Sequence, residues 1–276
     1  MKIIDGKALS ATLRAELKVK IEQLTHKPGL AVVIVGEDPA SQIYVRNKIK
    51  ACEELGIRSY AYHLPEDAAQ KEVEALLDEL SANTEVDGIL LQLPLPKHLN
   101  QEEVMAHIAV KKDVDGFSPE NLGLLALHKE NMVACTPLGV MKLLEHEGIS
   151  ISGKRAVVLG RSDTVGKPMA MLLLNESATV TICHSKTNNL KEICQNADIL
   201  ISAIGKPKFV TADMVKEGAV VVDVGINRDE NGKLCGDVDF ENVKEKTSYI
   251  TPVPGGVGPM TITMLMYNTY LTATKE

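Results

Sequence analysis

The stretch Ala156-Val-Val-Leu-Gly-Arg-Ser-Asp-Thr-Val-Gly-Lys-Pro168 decides the fold. Its short apolar, β-branched run reads as a strand buried on both faces. The run breaks at Gly160 into a turn bearing Arg161 and Ser162, and Gly166 precedes a helix expected to begin near Pro168. Strand, glycine turn and helix in that order direct backbone N–H groups of the helix start toward a phosphate. The spacing is not that of a P-loop, because five residues separate Gly160 from Gly166-Lys167 and Pro168 stands where a magnesium-binding hydroxyl is needed. It is not G-x-G-x-x-G either, and an ordinary strand-to-helix loop fits the same residues.

Outward from this turn, strands and helices alternate in two series. The first has strands over 30–35, 57–63 and 88–93, with helices over 7–24, 39–55, 70–80 and 101–109. After Asp115-Gly-Phe-Ser-Pro119 the pattern becomes irregular. A helix near 137–147 then leads to strands near 155–160, 178–183, 198–203 and 219–224, and a last helix is expected from about Pro259 to Ala273. Such alternation implies parallel sheets with right-handed crossovers and ligands at the C-terminal ends of the strands. The expected fold class is α/β, with two α/β domains flanking a cleft, the second a Rossmann-like parallel-sheet dinucleotide-binding domain. The first domain is expected over 1–120 plus a C-terminal helix at about 257–276, and the second over about 138–256.

Composition narrows the ligand. The chain has 276 residues with 45% hydrophobic content, enough for two cores. A net charge of −7 with 3% aromatic residues argues against a basic groove or a stacking platform, so no nucleic-acid partner is expected. The five cysteines form no C-x-x-C pair, and an odd count suits free thiols in a reducing compartment. Charged residues from Lys2 to Glu16 interrupt any apolar signal core, and no run approaches the ~18 apolar residues of a membrane span. The expectation is a cytoplasmic protein with a small-molecule substrate and no membrane partner. No His/Cys cluster suggests a metal site.

A dinucleotide-binding strand usually ends in an acid that holds the 2′-hydroxyl of NAD. The corresponding strand here, Ala178-Thr-Val-Thr-Ile-Cys183, runs into His184-Ser185-Lys186-Thr187 with no carboxylate. A hydroxyl and a cation there, beside Arg161, suit the 2′-phosphate of NADP, although a polar loop capped by Ser185 reads equally well. Val224-Gly-Ile-Asn227 is a candidate wall for the nicotinamide.

The first series carries other chemistry. In the helix opened by Asp38-Pro39, Val45, Ile49 and Cys52 form the core stripe, while Tyr44 and Lys48 lie four apart on an adjoining face. Gln92 interrupts the apolar strand Gly88-Ile-Leu-Leu-Gln-Leu-Pro94, where a buried amide needs partners. Asp115 precedes Gly116, the pattern of an Asx-turn. Thr251-Pro-Val-Pro-Gly-Gly-Val-Gly-Pro-Met-Thr261 is rigid and bare, so its backbone can approach a flat ligand, with Pro259 at the first helical position.

Pro39-Ala-Ser41, Tyr44-Val-x-x-Lys48, Asp87-Gly-Ile-Leu-Leu-Gln-Leu-Pro-Leu-Pro96, Lys112-Asp-Val-Asp-Gly-Phe117, Gly160-Arg-Ser-x-x-Val-Gly-Lys-Pro168 and Pro254-Gly-Gly-Val-Gly-Pro-Met-Thr261 occur in this order. Together they resemble the bifunctional methylenetetrahydrofolate dehydrogenase/methenyltetrahydrofolate cyclohydrolase family from end to end. The resemblance implies oxidation of 5,10-methylenetetrahydrofolate with NADP⁺ and hydrolysis of the methenyl product to 10-formyltetrahydrofolate, in one-carbon metabolism and purine biosynthesis. It implies Lys48 as the catalytic lysine, Gln92 as its orienting partner, Tyr44 against the folate and Asp115 on the pterin amidine. Gly255, Gly256 and Val257 are implied in the folate slot; Gly160, Arg161, Ser162, Ser185 and Ile226 as cofactor contacts; and the assembly as a homodimer. Thr164, Ser118 and Ala134 depart from the family pattern, and none is a proposed catalytic residue. A dehydrogenase lacking hydrolysis, an amino-acid or shikimate-type dehydrogenase and an NADP-sensing regulator are the competing readings.

Overall fold

The computed structural model describes residues 1–129 and 132–275, with the backbone alone at Pro39 and Ala40. In chain order the first elements are β1 (Lys2–Ile3), α1 (Gly6–Glu22), β2 (Gly29–Val35), α2 (Pro39–Leu55), β3 (Arg58–Leu64), α3 (Gln70–Ala82), β4 (Gly88–Leu91), α4 (Gln101–Met105) and α5 (Pro119–Ala126). There follow α6 (Cys135–His146), β5 (Arg155–Leu159), α7 (Gly166–Asn175), β6 (Thr179–Cys183), α8 (Leu190–Gln195), β7 (Ile199–Ser202) and β8 (Ala219–Asp223). The last are β9 (Asn227–Arg228), β10 (Leu234–Cys235), α9 (Phe240–Val243), β11 (Thr247–Ile250) and α10 (Val257–Thr274).

The chain forms two compact α/β units. One comprises residues 12–135 and the chain from Ile262 on; the other comprises residues 1–11 and 136–261. In the first, a parallel sheet has the order β3-β2-β4. Every residue of the central strand β2 is buried, as its unbroken apolar run requires, whereas β3 lies at an edge and is half exposed. Helix α3 sets Val73, Leu77 and Leu80 at helical spacing into a core with Val33, Ile89 and Val104. The later part of α10 belongs to this unit: Arg14 Nε donates to Thr263 Oγ1 at 3.0 Å, and Met266 lies 3.6 Å from the Cys52 sulfur. Residue 276, included in the expected C-terminal helix, lies outside the described residues.

The second unit carries a parallel six-stranded sheet in the order β1-β11-β8-β7-β5-β6. Its chain goes from β5 out to β6 and returns to β7 on the opposite side of β5, so the strand order reverses there. That is the switch point at which doubly wound folds bind ligands.

Several boundaries differ from the sequence expectation, each for a local reason. Residues 1–11, expected with the first series, join the second unit because Lys2–Ile3 pairs with Tyr249–Ile250; a two-residue strand has no alternation to reveal it. Gly6 is bound to the same unit, since a Cβ there would lie 1.8 Å from the Gly256 carbonyl oxygen, while Lys7 N donates to Gly255 O at 3.0 Å. Helix α7 starts at Gly166 rather than near Pro168, and α10 at Val257 rather than at Pro259. Both prolines thus sit in a first turn, where a missing N–H costs no intrahelical bond. Strand β4 ends at Leu91, before the cis peptide Leu93–Pro94, which leaves Gln92 just beyond the ladder.

Candidate active site

Helix α2 is held at both ends. Asp38 caps its start by accepting from Ser41 N at 2.8 Å, and Gly56 closes it in the left-handed region at φ 77°. Val45 and Cys52 are buried as expected, Ile49 only partly, and Tyr44 is 40% exposed. The Lys48 ammonium, half-buried on this helix, donates to Gln92 Oε1 at 3.0 Å. Gln92 cannot turn away readily, because its Nε2 donates to Leu93 O at 2.7 Å and its backbone N to Val33 O at 2.8 Å. The amide's only acceptor atom is thereby presented to the lysine.

Asp115 does not make the expected Asx-turn. Asp113 does, accepting from Gly116 N, Phe117 N and Ser118 N and from Asn121 Nδ2 at 2.7–3.2 Å. The Ser118 hydroxyl in turn caps α5 by accepting from Asn121 N. Asp115 is left to interact with Lys48 and the Cys135 thiol. Burial pushes its carboxyl up to about 6; the Lys48 charge opposes that rise, the Asp113 charge adds to it, and a hydrogen bond with Cys135 opposes it. Burial, with the Asp115 charge next, raises the Cys135 thiol well above its usual range, so it serves as an S–H donor rather than a thiolate.

In the second unit, Gly160 adopts φ 115°, and a Cβ there would lie 2.3 Å from the Ala203 carbonyl oxygen. Only glycine fits this crossing of two strand ends. The turn borders a cavity of about 290 Å³ lined by Gly160, Arg161, His184, Ser185, Ile204 and Lys206, among others. The lining holds two cations and no carboxylate, which fits an anionic nucleotide. Ser162 is absent from this lining. Its Oγ accepts from Val165 N and Gly166 N at 3.2 Å each, pairing two N–H groups at the start of α7. Ser185 is exposed and does not cap its loop: Thr187 Oγ1 accepts from His184 N at 2.8 Å, and His184 Nδ1 accepts from Lys186 N at 3.2 Å. Ile226 is 50% exposed and likewise does not line the cavity.

The loop bearing Lys206 is held from beneath by a fully buried carboxylate. Asp237 accepts from Ser202 Oγ, from the N–H groups of Ile204, Gly205 and Lys206, and from Asn227 Nδ2. Asp223, also buried, accepts from the N–H groups of Gly225, Asp237 and Val238. Burial pushes its carboxyl up to about 7 against those donors. Side chains at Gly225 and Gly236 would strike these carboxylates. In the other glycine-rich segment, Gly255 has φ 104°, Gly256 has no room for a Cβ beside Pro252 O at 2.6 Å, and Val257 is buried at the start of α10.

Residues 4–115 match the model of the tetrahydrofolate dehydrogenase/cyclohydrolase catalytic domain, and residues 134–276 match the NAD(P)-binding domain of the same family. The chain is 59% identical to the bifunctional protein FolD of Campylobacter concisus over 276 residues, spanning 99% of this chain and 98% of that protein. The crystal structure of the bifunctional methylenetetrahydrofolate dehydrogenase/cyclohydrolase of Campylobacter jejuni superimposes with a TM-score of 0.98 at 53% identity, covering 99% of this chain and 98% of the other. That of the Trypanosoma brucei enzyme, complexed with NADP cofactor and inhibitor, gives 0.93 at 39% identity, covering 98% and 96%. The chain belongs to the tetrahydrofolate dehydrogenase/cyclohydrolase family. It is an enzyme of folate one-carbon metabolism with a dehydrogenase and a cyclohydrolase activity.

In this family member the structure brings Lys48, Gln92 and Asp115 together in one unit and Gly160, Arg161 and Ser185 together in the other. Sequence reasoning missed Asp113, Cys135, Lys206 and Asp237. The apolar strand end before Ala203-Ile-Gly-Lys206 was the available signal for Lys206; Asp237 lies 31 residues or more from the loop it binds and gave none. Among the described residues no group of three His, Cys, Asp or Glu could hold a metal ion, and no helix is long and apolar enough to cross a membrane. Because Asp237 satisfies three loop N–H groups, Asp237→Ala is expected to lower unfolding free energy by roughly 3 kcal/mol or more, read by denaturant titration. A loss within ~0.5 kcal/mol, the size of an ordinary surface change, would refute the holding role.

Proposed function

We propose that this chain oxidises 5,10-methylenetetrahydrofolate to 5,10-methenyltetrahydrofolate with NADP⁺ and hydrolyses that product to 10-formyltetrahydrofolate. The observation carrying the reading is the Lys48–Gln92 hydrogen bond at 3.0 Å with Asp115 beside it. Bound NADP⁺ supplies the acceptor for the substrate's hydride. Gly160 gives the cofactor backbone at close approach, and Arg161 and Ser185 bind its 2′-phosphate. Ser162 acts through its hydroxyl proton, since its oxygen already accepts from α7. Ile226 presents an apolar wall on the nicotinamide side.

For hydrolysis, Lys48 acts first as the neutral amine, taking a proton from the water that adds to the one-carbon unit, and the ammonium so formed delivers that proton to the nitrogen whose bond to the carbon breaks. The adduct's hydroxyl proton leaves to solvent as the formyl carbonyl forms, and Gln92 Oε1 accepts from Lys48 Nζ throughout, keeping it aimed. Tyr44 packs on the folate, Asp115 accepts hydrogen bonds from the pterin amidine edge, and Gly255, Gly256 and Val257 offer backbone to the same ligand. The folate-binding catalytic role falls to the unit with Lys48 and the NADP-binding role to the unit with Gly160. We place the enzyme in the cytoplasm on its five free cysteines, and read it as a homodimer supplying purine biosynthesis on the family resemblance.

Three measurements test these roles. With methylenetetrahydrofolate and NADP⁺ supplied, NADPH, methenyl and 10-formyl species are followed separately. Lys48→Ala is expected to abolish hydrolysis of the methenyl compound while NADP affinity survives, and hydrolysis at the wild-type rate would sink the role of Lys48. Arg161→Ala is expected to weaken NADP roughly tenfold or more beyond its effect on NAD, because only NADP carries a 2′-phosphate for the guanidinium to pair with; equal losses would remove that contact. Finally, Asp115 titrates near 6 and binds as the anion, so the folate KM is expected to rise as pH falls through that value and to lose this limb in Asp115→Asn. A KM flat from pH 5 to 8 in the wild type would contradict the anionic role.

A further inference from the structure

Helix α10 carries Asn268, 1% exposed, in the same unit as Lys48 and Asp115. Its Nδ2 donates to Val114 O at 2.8 Å and to Val133 O at 3.0 Å, and lies 3.6 Å from Cys135 Sγ. Val114 immediately precedes Asp115, while Val133 and Cys135 belong to the segment lying against the turn. The two segments meet at Gly116, which has φ 71° and where a Cβ would stand 2.6 Å from both Val133 C and Ala134 N. Position 116 has no room for a side chain of its own, and the Asn268 amide bonds to both segments.

We propose that Asn268 is a positioning residue for folate binding, which clamps the turn bearing Asp115 to the segment bearing Cys135 and so aims the Asp115 carboxylate. This rests on the reading of Asp115 as the pterin acceptor. The geometry turns on one carbonyl. Val114 O accepts from Asn268 Nδ2 at 2.8 Å and from the Cys135 thiol at 3.2 Å, and Asn268 is the stronger donor of the two. The same amide reaches Val133 O, so it ties the residue before Asp115 to the facing segment. Without the amide, the buried Val114 carbonyl keeps only the weak thiol donor and the carboxylate one residue on loses its backbone restraint.

The test compares Asn268→Leu, similar in size but without donors, with Asp115→Asn and with the double variant. Asn268→Leu is expected to raise the methylenetetrahydrofolate KM roughly tenfold, with NADP⁺ KM and kcat within about twofold, and to add nothing in the Asp115→Asn background. A purely structural role would reduce the active fraction, lowering apparent kcat at unchanged folate KM, and that result overturns the proposal. So does a folate KM rise that is fully additive with Asp115→Asn. If Asp115→Asn itself leaves the folate KM unchanged, the reading of Asp115 fails first. If it raises KM while Asn268→Leu does not, only the positioning role fails. Should Asn268→Leu not yield folded enzyme, Cys135→Ala removes the other donor to Val114 O: a raised folate KM supports the clamp and an unchanged one overturns it.

Discussion

A loop packed into the interior of an α/β unit carries N–H groups with no ladder partner, and burying them unpaired costs more than most contacts return. Both units meet this constraint with a buried aspartate. Asp113 gathers Gly116, Phe117 and Ser118, and Asp237 gathers Ile204, Gly205 and Lys206. Each carboxylate is stabilised by the donors it collects, and each loop is fixed because its donors have one place to go. The groups assigned to ligands, Asp115 in one unit and Lys206 beside Arg161 in the other, ride on backbone whose conformation is settled by another residue.

This division explains what could be read from the residues and what could not. Periodicity revealed the long elements because β2 is buried along its whole length and α3 repeats its apolar positions at helical spacing. Of the Lys48–Gln92 pair, the residues alone singled out Gln92, an amide interrupting an apolar strand, and only the family resemblance joined it to Lys48. In Lys112-Asp-Val-Asp-Gly116, by contrast, two carboxylates flank one valine, and the Asx-turn was expected at the one adjoining glycine. The reach from Asp113 to Gly116 N closes the turn instead, and Asp115 is displaced into the polar cluster. The hydroxyl of Ser162 carries a second task that its place in the turn did not reveal, accepting from Val165 N and Gly166 N at the start of α7. Asn268 and Asp237 were illegible because their partners are distant in sequence: 154 residues separate Asn268 from Val114.

The strand order accounts for the location of the cavity beside Gly160. Because the chain leaves β5 toward β6 on one side and takes up β7 on the other, the loops after β5 and β7 diverge above the sheet. A gap must open between them, floored by Leu159 and Ala203 and walled by Arg161 and Lys206. Gly160 lets the two loops cross at their base, where a Cβ would meet Ala203 O, and Asp237 keeps the far loop from collapsing into the gap. Strand topology thus makes the cavity, glycine permits its floor, and buried carboxylate chemistry holds its rim. Arg161 and Lys206 can then set the charge of that rim while the loops that carry them stay where they are.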